Sequence, residues 1–275
     1  LKRIWTNSPH IYPIGRRSAR RHRKNQQDLR AVTRPRWLTV TDAPDAFPPL
    51  EEALAEPNGL LAMGGDLSSE RLLAAYTKGI FPWYELGQPI LWWSPDPRAV
   101  LWPRDLHVSR RLQRSRRQSK LTMTCDRAFA TVVQRCAEPR RYADGTWITA
   151  DMTQAYCALH EIGWAHSFEA WQDNQLVGGL YGVAIGRVFF GESMFSRLAN
   201  ASTIALIAAV AYLQARNFAL LDCQIWSSHL QTLGATTLSR AEFLQQLNTL
   251  CHPTGSPGSW AQDFERFGGE PASGD

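Results

Sequence analysis

The chain has 275 residues, of which 44% are hydrophobic, enough for one large domain or for a small and a medium one. No apolar run reaches the length of a membrane span. The five cysteines are odd in number and contain no C-x-x-C pair, which argues against a disulfide framework and a zinc site. We therefore expect no metal or cofactor, and a reducing cytoplasm as the location.

The net charge of +5 arises at the amino terminus. Residues 1–36 carry eleven Lys or Arg against one acid, Asp28, so the rest of the chain has a net charge of −5. This segment has no apolar periodicity and is predicted to be a disordered basic extension. It is either an RNA-binding or targeting arm or an upstream extension without function. The second interpretation is favoured because the segment lacks the amphipathic order of a transit peptide.

Ordered sequence is predicted to begin near Trp37. Ser68 or Ser69 can cap a helix over 70–78, which Gly79 ends, and two extended segments follow. The Pro-containing turn 94–98 is stiff and marks a domain boundary. We expect a small amino-terminal α/β domain over 37–96, a catalytic domain over 97–265 and a carboxyl-terminal tail over 266–275.

Helices and strands alternate in the second part. Helices are predicted over 109–119, 129–136, 149–162, 202–217 and 240–250. Strands are predicted over 99–102, 121–125, 166–172, 175–184, 187–195 and 219–224. The strands within 166–195 form an antiparallel meander with turns at 173–174 and 186. This mixture predicts an α+β fold rather than a doubly wound sheet.

Polar groups emerge from two apolar, strand-like segments. Asp222 and Gln224 end the run 218–224, and Glu192 lies in a second such segment. Burying an ionised carboxylate is costly unless it is paired or used. Residues i and i+2 share one face of a strand, so Asp222 and Gln224 are predicted to point together while Cys223 points away. The alternative is an inward Asp that caps a helix, with Gln as its partner.

Residues 104–120 are strongly basic, with Asp105 as the single acid. On an otherwise acidic body this concentration of charge predicts an anion-binding helix. The alternative is a solvated basic face without function. The candidate phosphate-binding residues are Arg110, Arg111, Arg114, Arg116, Arg117 and Lys120.

Several common motifs are absent. The chain has no G-x-G-x-x-G, no G-K-[ST] and no G-x-S-x-G, and the pyrophosphate-cradling turn of many acetyltransferases is missing. The seven histidines show no spacing typical of metal ligands. Motifs of this kind therefore do not identify the reaction.

Eight ordered strings together resemble the bacterial leucyl/phenylalanyl-tRNA–protein transferase family, and the resemblance spans roughly 45–250. The strings are EPNGLL at 56–61, GIFPW at 79–83, WWSPDPR at 92–98, GTWIT at 145–149, LVGG at 176–179, GESMFSR at 191–197, NAS at 200–202 and DCQ at 222–224.

The resemblance implies an enzyme that transfers Leu, Phe or Met from aminoacyl-tRNA to proteins with an amino-terminal Arg or Lys. The product enters the N-end rule degradation pathway. The implied fold is a small amino-terminal domain on an acetyltransferase-like (GNAT-type) core that accepts aminoacyl-tRNA instead of acyl-CoA. The missing pyrophosphate turn agrees with this. We expect a monomer that binds aminoacyl-tRNA and protein substrates and no membrane.

The resemblance also implies roles for individual residues. Asp222 would polarise Gln224, whose side chain orients the attacking amine, and Glu192 would fix the acceptor's basic side chain or its ammonium group. Trp83 and Trp147 would line the aminoacyl pocket or stack on the terminal adenine. The pocket for the aminoacyl side chain would further contain Leu180, Phe189, Met194 and Leu206. The helix over 109–119 would hold acceptor-stem phosphates.

One position departs from the family pattern, since Thr203 stands where Lys is expected. Three other functions remain open. A non-catalytic RNA-binding protein would explain the basic helix but would leave Asp222, Gln224 and Glu192 without a purpose. An acyl-CoA acetyltransferase is disfavoured by the missing pyrophosphate turn, and a tRNA-dependent peptidoglycan ligase would show no preference for amino-terminal Arg.

Overall fold

The computed structural model describes residues 34–138, 148–252 and 258–268. Residues 1–33 of the predicted extension over 1–36 and the candidate pocket residue Trp147 lie outside these ranges. The described residues form a mixed α/β fold with two sheets and eight α-helices. Within them, no helix is both long and apolar enough to cross a membrane.

The first sheet has four strands in the order β1-β2-β4-β3. Its strands are β1 (Arg36–Leu38), β2 (Leu60–Gly64), β3 (Phe81–Pro82) and β4 (Leu91–Trp93). Helix α1 (Ser69–Thr77) follows β2, and the side chain of Ser68 caps it by accepting from the backbone N–H of Arg71. Gly79 follows its last turn with a φ of +72°, which glycine adopts without strain. Ser68 as the cap and Gly79 as the stop are confirmed, and the helix lies one residue earlier at each end than the predicted 70–78.

The second sheet has seven strands in the order β11-β5-β10-β9-β8-β7-β6. Its strands are β5 (Arg98–Leu101), β6 (Thr122–Cys125), β7 (Ala165–Gln172), β8 (Gln175–Ile185), β9 (Val188–Ser196), β10 (Leu220–Gln224) and β11 (Thr236–Leu238). The helices between and after them are α2 (Arg110–Gln118), α3 (Phe129–Ala137), α4 (Ala150–Glu161), α5 (Ala201–Ala215), α6 (Ser228–Thr232), α7 (Arg240–Leu250) and α8 (Ala261–Phe267). The predicted meander is β7-β8-β9.

The sequence prediction differs from this fold at several short elements. Strand β11 and helix α6 were not predicted, since three to five residues carry too little periodicity to be recognised. Helix α7 is not the last one, because α8 follows it and extends past the predicted tail boundary at residue 266. Strand β1 begins at Arg36, one residue before the expected start of order.

Two hydrophobic cores lie on opposite faces of the seven-stranded sheet. The α4-side core contains side chains of α1, α3, α4, α7 and the four-stranded sheet, so it joins the two sheets into one body. The α5-side core contains side chains of α5 and α8. Helix α5 lies very close to β8, because a Cβ on Gly178 would come within 2.6 Å of the Ala201 Cβ.

A buried arginine connects three segments of the α4-side core. Arg98 on β5 donates through Nε and Nη2 to the two carboxylate oxygens of Asp222 on β10, at 2.8 and 2.7 Å. Its Nη1 donates to the carbonyl of Gly79 at 3.0 Å. The guanidinium carbon lies 4.8 and 4.7 Å from the ring centroids of Phe81 and Phe243. Arg98 thereby ties the end of α1 to the second sheet.

We expect Arg98→Met to destabilise the protein by about 3–5 kcal/mol, because it leaves the Asp222 carboxylate buried without its cation. Equilibrium unfolding in urea measures this change. The double variant Arg98→Met/Asp222→Asn should lose less stability than Arg98→Met alone, since no unpaired charge stays buried. Arg104→Met is the surface control and should leave the unfolding midpoint unchanged. Equal losses in the single and double variants would contradict the buried-charge explanation.

Candidate active site

The candidate site lies where two parallel strands separate. Strands β9 and β10 pair in parallel only from Val188 to Phe190 and from Leu220 to Asp222. Just beyond this point, β9 shifts register against β8, and β10 shifts register against β5. Each shift is a bulge, and the extra residue is Glu192 on β9 and Cys223 on β10. A bulge bends its strand and changes the direction of its side chains. The two bulges therefore lie side by side on adjacent strands, just past the end of the β9–β10 pairing.

The bulge at Glu192 changes which face the following residues occupy. Phe189 belongs to the α5-side core, and Met194 packs against the same core although it is five residues further on. Strict alternation would place residues five apart on opposite faces. Glu192 itself bonds to tyrosines of the α4-side core. One bulge thus supplies a polar side chain to one face and returns Met194 to the other.

Asp222 and Gln224 have neighbouring side chains, as the strand pattern predicts. Asp222 bonds to Arg98, and the Gln224 side chain bonds to Glu192, so both face the α4-side core while Cys223 belongs to the α5-side core. The Asp222 carboxylate also accepts the backbone N–H of Gln224 at 2.9 Å. This bond supports the left-handed backbone of Gln224, whose φ is +61°. Asp222 therefore contacts the Gln224 backbone, not its amide group.

Glu192 is fully buried among three hydrogen-bonding side chains. The hydroxyl of Tyr76 on α1 donates to Oε1 at 2.7 Å, and that of Tyr156 on α4 donates to Oε2 at 2.6 Å. The two hydroxyl oxygens lie 2.6 Å apart. The amide Nε2 of Gln224 donates to Oε1 at 2.7 Å. Glu192 thus contacts no solvent, and both of its oxygens already accept hydrogen bonds.

The proton count of this cluster favours a neutral Glu192. Three short oxygen–oxygen contacts close a ring through Glu192, Tyr76 and Tyr156, and each contact needs one proton. The two hydroxyls supply two protons, and a protonated carboxyl supplies the third. In this neutral form the bond to Tyr156 reverses, so that Glu192 Oε2 donates to Tyr156, Tyr156 donates to Tyr76, and Tyr76 donates to Oε1. Burial raises the pKa of Glu192 to about 7, although the hydrogen bonds from Tyr156 and Tyr76 act to lower it. Both arguments agree that Glu192 holds its proton below neutral pH.

Glu192 also fixes the orientation of the Gln224 amide. Because Nε2 is the donor to Glu192, Oε1 must point the other way. Within the described part of the chain, no group donates to Gln224 Oε1. This oxygen is therefore the one acceptor of the cluster that remains for an external N–H or O–H group.

The predicted pocket residues divide between the two cores. Leu180, Phe189 and Leu206 are buried in the α5-side core, and Met194 packs against it opposite Leu180 on the paired strand. Trp83 packs against the α4-side core, with its ring centroid 5.7 Å from that of Trp93. The structure thus brings four of the predicted residues together and places Trp83 apart from them.

The basic residues lie on helix α2 and at the residues just after it. Five of the six are exposed, namely Arg110, Arg111, Arg114, Arg117 and Lys120, and Arg116 is half-buried. None of the six forms an ion pair with another described residue. Arg110 and Arg111 occupy the first turn, where the helix dipole disfavours cations, and no acid offsets them there. Their charge is therefore available to an external anion.

Three residues of the buried cluster were not predicted. Arg98, Tyr76 and Tyr156 are distant from Asp222 and Glu192 in sequence, and two of them are aromatic residues within helices that otherwise resemble core. The sequence contained one local signal for the cluster, which was the position of Arg98 at the start of an apolar strand. A buried cation at such a position needs a buried acid as its partner. Among the described residues, no group of His, Cys, Asp or Glu side chains could hold a metal ion.

Comparisons with known proteins identify the family. A sequence profile described as leucyl/phenylalanyl-tRNA protein transferase matches residues 100–248, and a profile for the amino-terminal domain of that transferase matches 65–96. Curated relatives named leucyl/phenylalanyl-tRNA–protein transferase are similar over most of their length.

The relative from Stutzerimonas stutzeri is 58% identical over 211 residues, which are 77% of this chain and 92% of the relative. The relative from Nitrosospira multiformis is 54% identical over 230 residues, which are 84% of this chain and 98% of the relative. The relative from Azotobacter vinelandii is 59% identical over 202 residues, covering 74% of this chain and 89% of the relative. With its buried Glu192–Gln224 cluster and matches of this extent, the chain belongs to the leucyl/phenylalanyl-tRNA–protein transferase family and is an aminoacyltransferase.

Proposed function

We propose that this protein transfers Leu, Phe or Met from aminoacyl-tRNA to the α-amino group of proteins with an amino-terminal Arg or Lys. The new peptide bond would mark these proteins for N-end rule degradation. The names of the relatives, which contain leucyl, phenylalanyl, tRNA and protein, support the donor and the class of acceptor. The observation that carries the proposal is the Gln224 amide, which Glu192 holds and whose oxygen accepts no hydrogen bond from any described residue.

The arrangement of strands supports an acetyltransferase-like (GNAT-type) core. A single parallel pair, β9 and β10, lies within an otherwise antiparallel sheet, and helix α5 connects the two strands. Such a connection places the carboxyl ends of both strands at one edge, where ligands of α/β sheets bind. The change of sheet between β4 and β5 supports a domain boundary near residue 96. A cytoplasmic monomer remains part of the proposal, and the five free cysteines suit a reducing compartment.

The reaction demands little acid–base chemistry. The neutral α-amine of the acceptor attacks the ester carbonyl of aminoacyl-tRNA, the C–N bond forms, and the C–O bond to the ribose breaks. The amine loses one proton, and the ribose oxygen gains one. An α-amino group has a pKa of about 8, so an appreciable fraction is already neutral near pH 7. Correct placement of the amine can therefore supply much of the rate enhancement.

Gln224 is the residue proposed to place the amine. Its free Oε1 accepts an N–H of the acceptor's α-amino group and so directs the nitrogen lone pair towards the ester carbonyl. Glu192 holds the other end of the amide, and Asp222 holds the backbone of Gln224. Gln224 is thus the catalytic residue, and Glu192 and Asp222 are positioning residues. Since Glu192 is buried, its effect on the acceptor passes through Gln224.

The α5-side core is the proposed receptor for the aminoacyl side chain. Leu180, Phe189, Met194 and Leu206 are apolar and lie on the face opposite the Glu192 cluster. The aminoacyl side chain would reach that face where β9 and β10 cease to pair, after Phe190 and Asp222. An aminoacyl side chain with an unbranched Cβ would pass between the strands more easily than a β-branched one. The flexible side chain of Met194 can adapt to aminoacyl side chains of several shapes. Trp83 and Trp147 are proposed to stack on the terminal adenine.

Helix α2 is the proposed site of tRNA phosphate binding. Its unpaired cations would bind the acceptor stem by charge, with little dependence on sequence. The binding constant should therefore fall steeply as the salt concentration rises.

The deciding experiment is transfer of radiolabelled Leu from charged tRNA to two matched peptides that begin with Arg or with Met. We expect incorporation into the Arg peptide alone. Incorporation into both peptides would contradict the acceptor rule and would favour a tRNA-dependent ligase of another kind. Binding of tRNA without incorporation would leave a non-catalytic RNA-binding protein.

We expect Gln224→Ala to lower kcat/KM for transfer by about 10²-fold or more, because the amine loses the group that orients it. The dissociation constant for tRNA should not change, since the residues proposed to bind tRNA phosphates lie on and just after α2 and do not include Gln224. Gln214→Ala on the exposed face of α5 is the matched control. A Gln224→Ala variant that is folded and fully active would refute the assignment.

We expect the stability of the wild-type protein to fall as the pH rises from about 5 to 7. The native Glu192 carboxyl has a pKa of about 7 against an ordinary 4.5, so the native state binds more protons in this window than the unfolded state does. The loss should be on the order of 3 kcal/mol, since each unit of pKa corresponds to about 1.4 kcal/mol.

Glu192→Gln should remove this loss, because the substituted amide can donate to Tyr156 and accept from Tyr76 and Gln224 without a charge. Urea unfolding at several pH values tests the prediction, with the exposed Glu161→Gln as the control that keeps the wild-type slope. An unchanged slope in Glu192→Gln would show that Glu192 does not titrate near neutral pH.

A further inference from the structure

A cavity lies apart from the Glu192 cluster, between helices α2, α5 and α6. Its volume is about 290 Å³, near the lower end for small-ligand sites. It is lined by His107, Ser109, Arg111, Leu112, Asn200, Thr203, His229, Thr232 and Leu233. This set contains three hydroxyls, an amide, two imidazoles and a guanidinium but no carboxylate. Its chemistry therefore favours an anion that accepts several hydrogen bonds.

Two side chains of the cavity have polar atoms that lack partners. Thr203 is only 2% exposed, and its Oγ1 makes no hydrogen bond with any described residue. The buried Nε2 of His229 also makes no hydrogen bond with any described residue. Leaving a buried polar group unpaired costs about 1–3 kcal/mol. Both groups can donate, so an anion seated in this cavity would satisfy them together.

The backbone around the cavity adds positive charge. The 15-residue helix α5 begins at Ala201, so Thr203 lies in its first turn, where the helix dipole is positive. Helix α2 also begins at the cavity, with Ser109 as its N-cap. The Asn200 amide donates to Ser115 Oγ at 3.0 Å, which ties the start of α5 to the middle of α2. Arg111 then contributes a full positive charge from α2.

We infer that this cavity binds a phosphate group, and specifically a phosphodiester of the single-stranded 3′ end of the tRNA. The inference rests on the proposed function for the identity of the RNA. Leu206, one turn after Thr203 on α5, belongs to the proposed aminoacyl pocket, so the cavity lies on the helix that also contacts the aminoacyl group. A phosphate held here would set the distance between the RNA backbone and the ester.

The test compares two RNA hairpins that carry the acceptor stem and its single-stranded 3′ end. One has natural linkages in the 3′ end, and the other has uncharged methylphosphonate linkages there. Thr203→Val removes the hydroxyl and keeps the shape, and we expect it to weaken binding of the natural hairpin about tenfold, as the loss of a hydrogen bond to a charged group does. Binding of the uncharged hairpin should stay the same. Thr203→Ser should restore the natural affinity.

Arg111→Gln should behave like Thr203→Val, with Arg117→Gln as its matched control on the same helix. Arg117 does not line the cavity, so its loss should weaken both hairpins equally, in a salt-dependent way. Equal effects of Arg111→Gln and Arg117→Gln on the two hairpins, with no effect of Thr203→Val, would overturn the inference.

Titration with inorganic phosphate at constant ionic strength separates the possible sources of the anion. Phosphate binding that Thr203→Val abolishes, together with hairpin binding that ignores the linkages, would identify a free-phosphate site and overturn the tRNA assignment. These binding measurements are independent of transfer. Linkage-sensitive binding without incorporation of Leu would support the phosphodiester site and reject the proposed reaction. Incorporation of Leu with binding that ignores the linkages would support the reaction and reject the phosphodiester site.

Discussion

The ion pair between Arg98 and Asp222 is the interaction on which the candidate site depends. Both side chains are fully buried, and each would be costly to bury alone. Their two hydrogen bonds fix the end of β10, and the same Asp222 carboxylate accepts the backbone N–H of Gln224. A third bond of Arg98 reaches Gly79, directly after the helix that carries Tyr76. The pair therefore relates the backbone of Gln224 to the helix that supports Glu192.

The Glu192 cluster shows why a buried carboxyl can be kept at such a site. An ionised Glu192 would leave the Tyr76–Tyr156 contact one proton short, whereas a protonated one completes the ring. As far as the described residues show, Gln224 is then the one side chain of the cluster with an acceptor left over. The cluster thus converts three protein segments that are far apart in sequence into one oriented amide. Such orientation is paid for in stability, since the carboxyl is desolvated.

Much of the fold could be predicted from the sequence. The elements that could not be predicted were missed for physical reasons. Periodicity and caps predicted α1, α7 and the meander, because each segment's own residues determine it. The alternation of a strand predicted that Asp222 and Gln224 point together. Pattern alone could not predict the bulge at Glu192 or the tyrosines, since both depend on contacts between distant segments. Short elements such as β11 were missed because tertiary pairing, not local preference, forms them.

The charges of this chain separate two tasks that a transferase must perform at once. A long RNA can be held by cations that need no precise geometry, and α2 presents cations that form no ion pair with another described residue. The reacting amine needs a single acceptor in a defined direction, and a buried network is suited to that because its members cannot rotate freely. In the proposed function, exposed charge would serve affinity and buried polarity would serve orientation. Since an α-amine needs little activation near neutral pH, orientation is the contribution that this scaffold is best built to make.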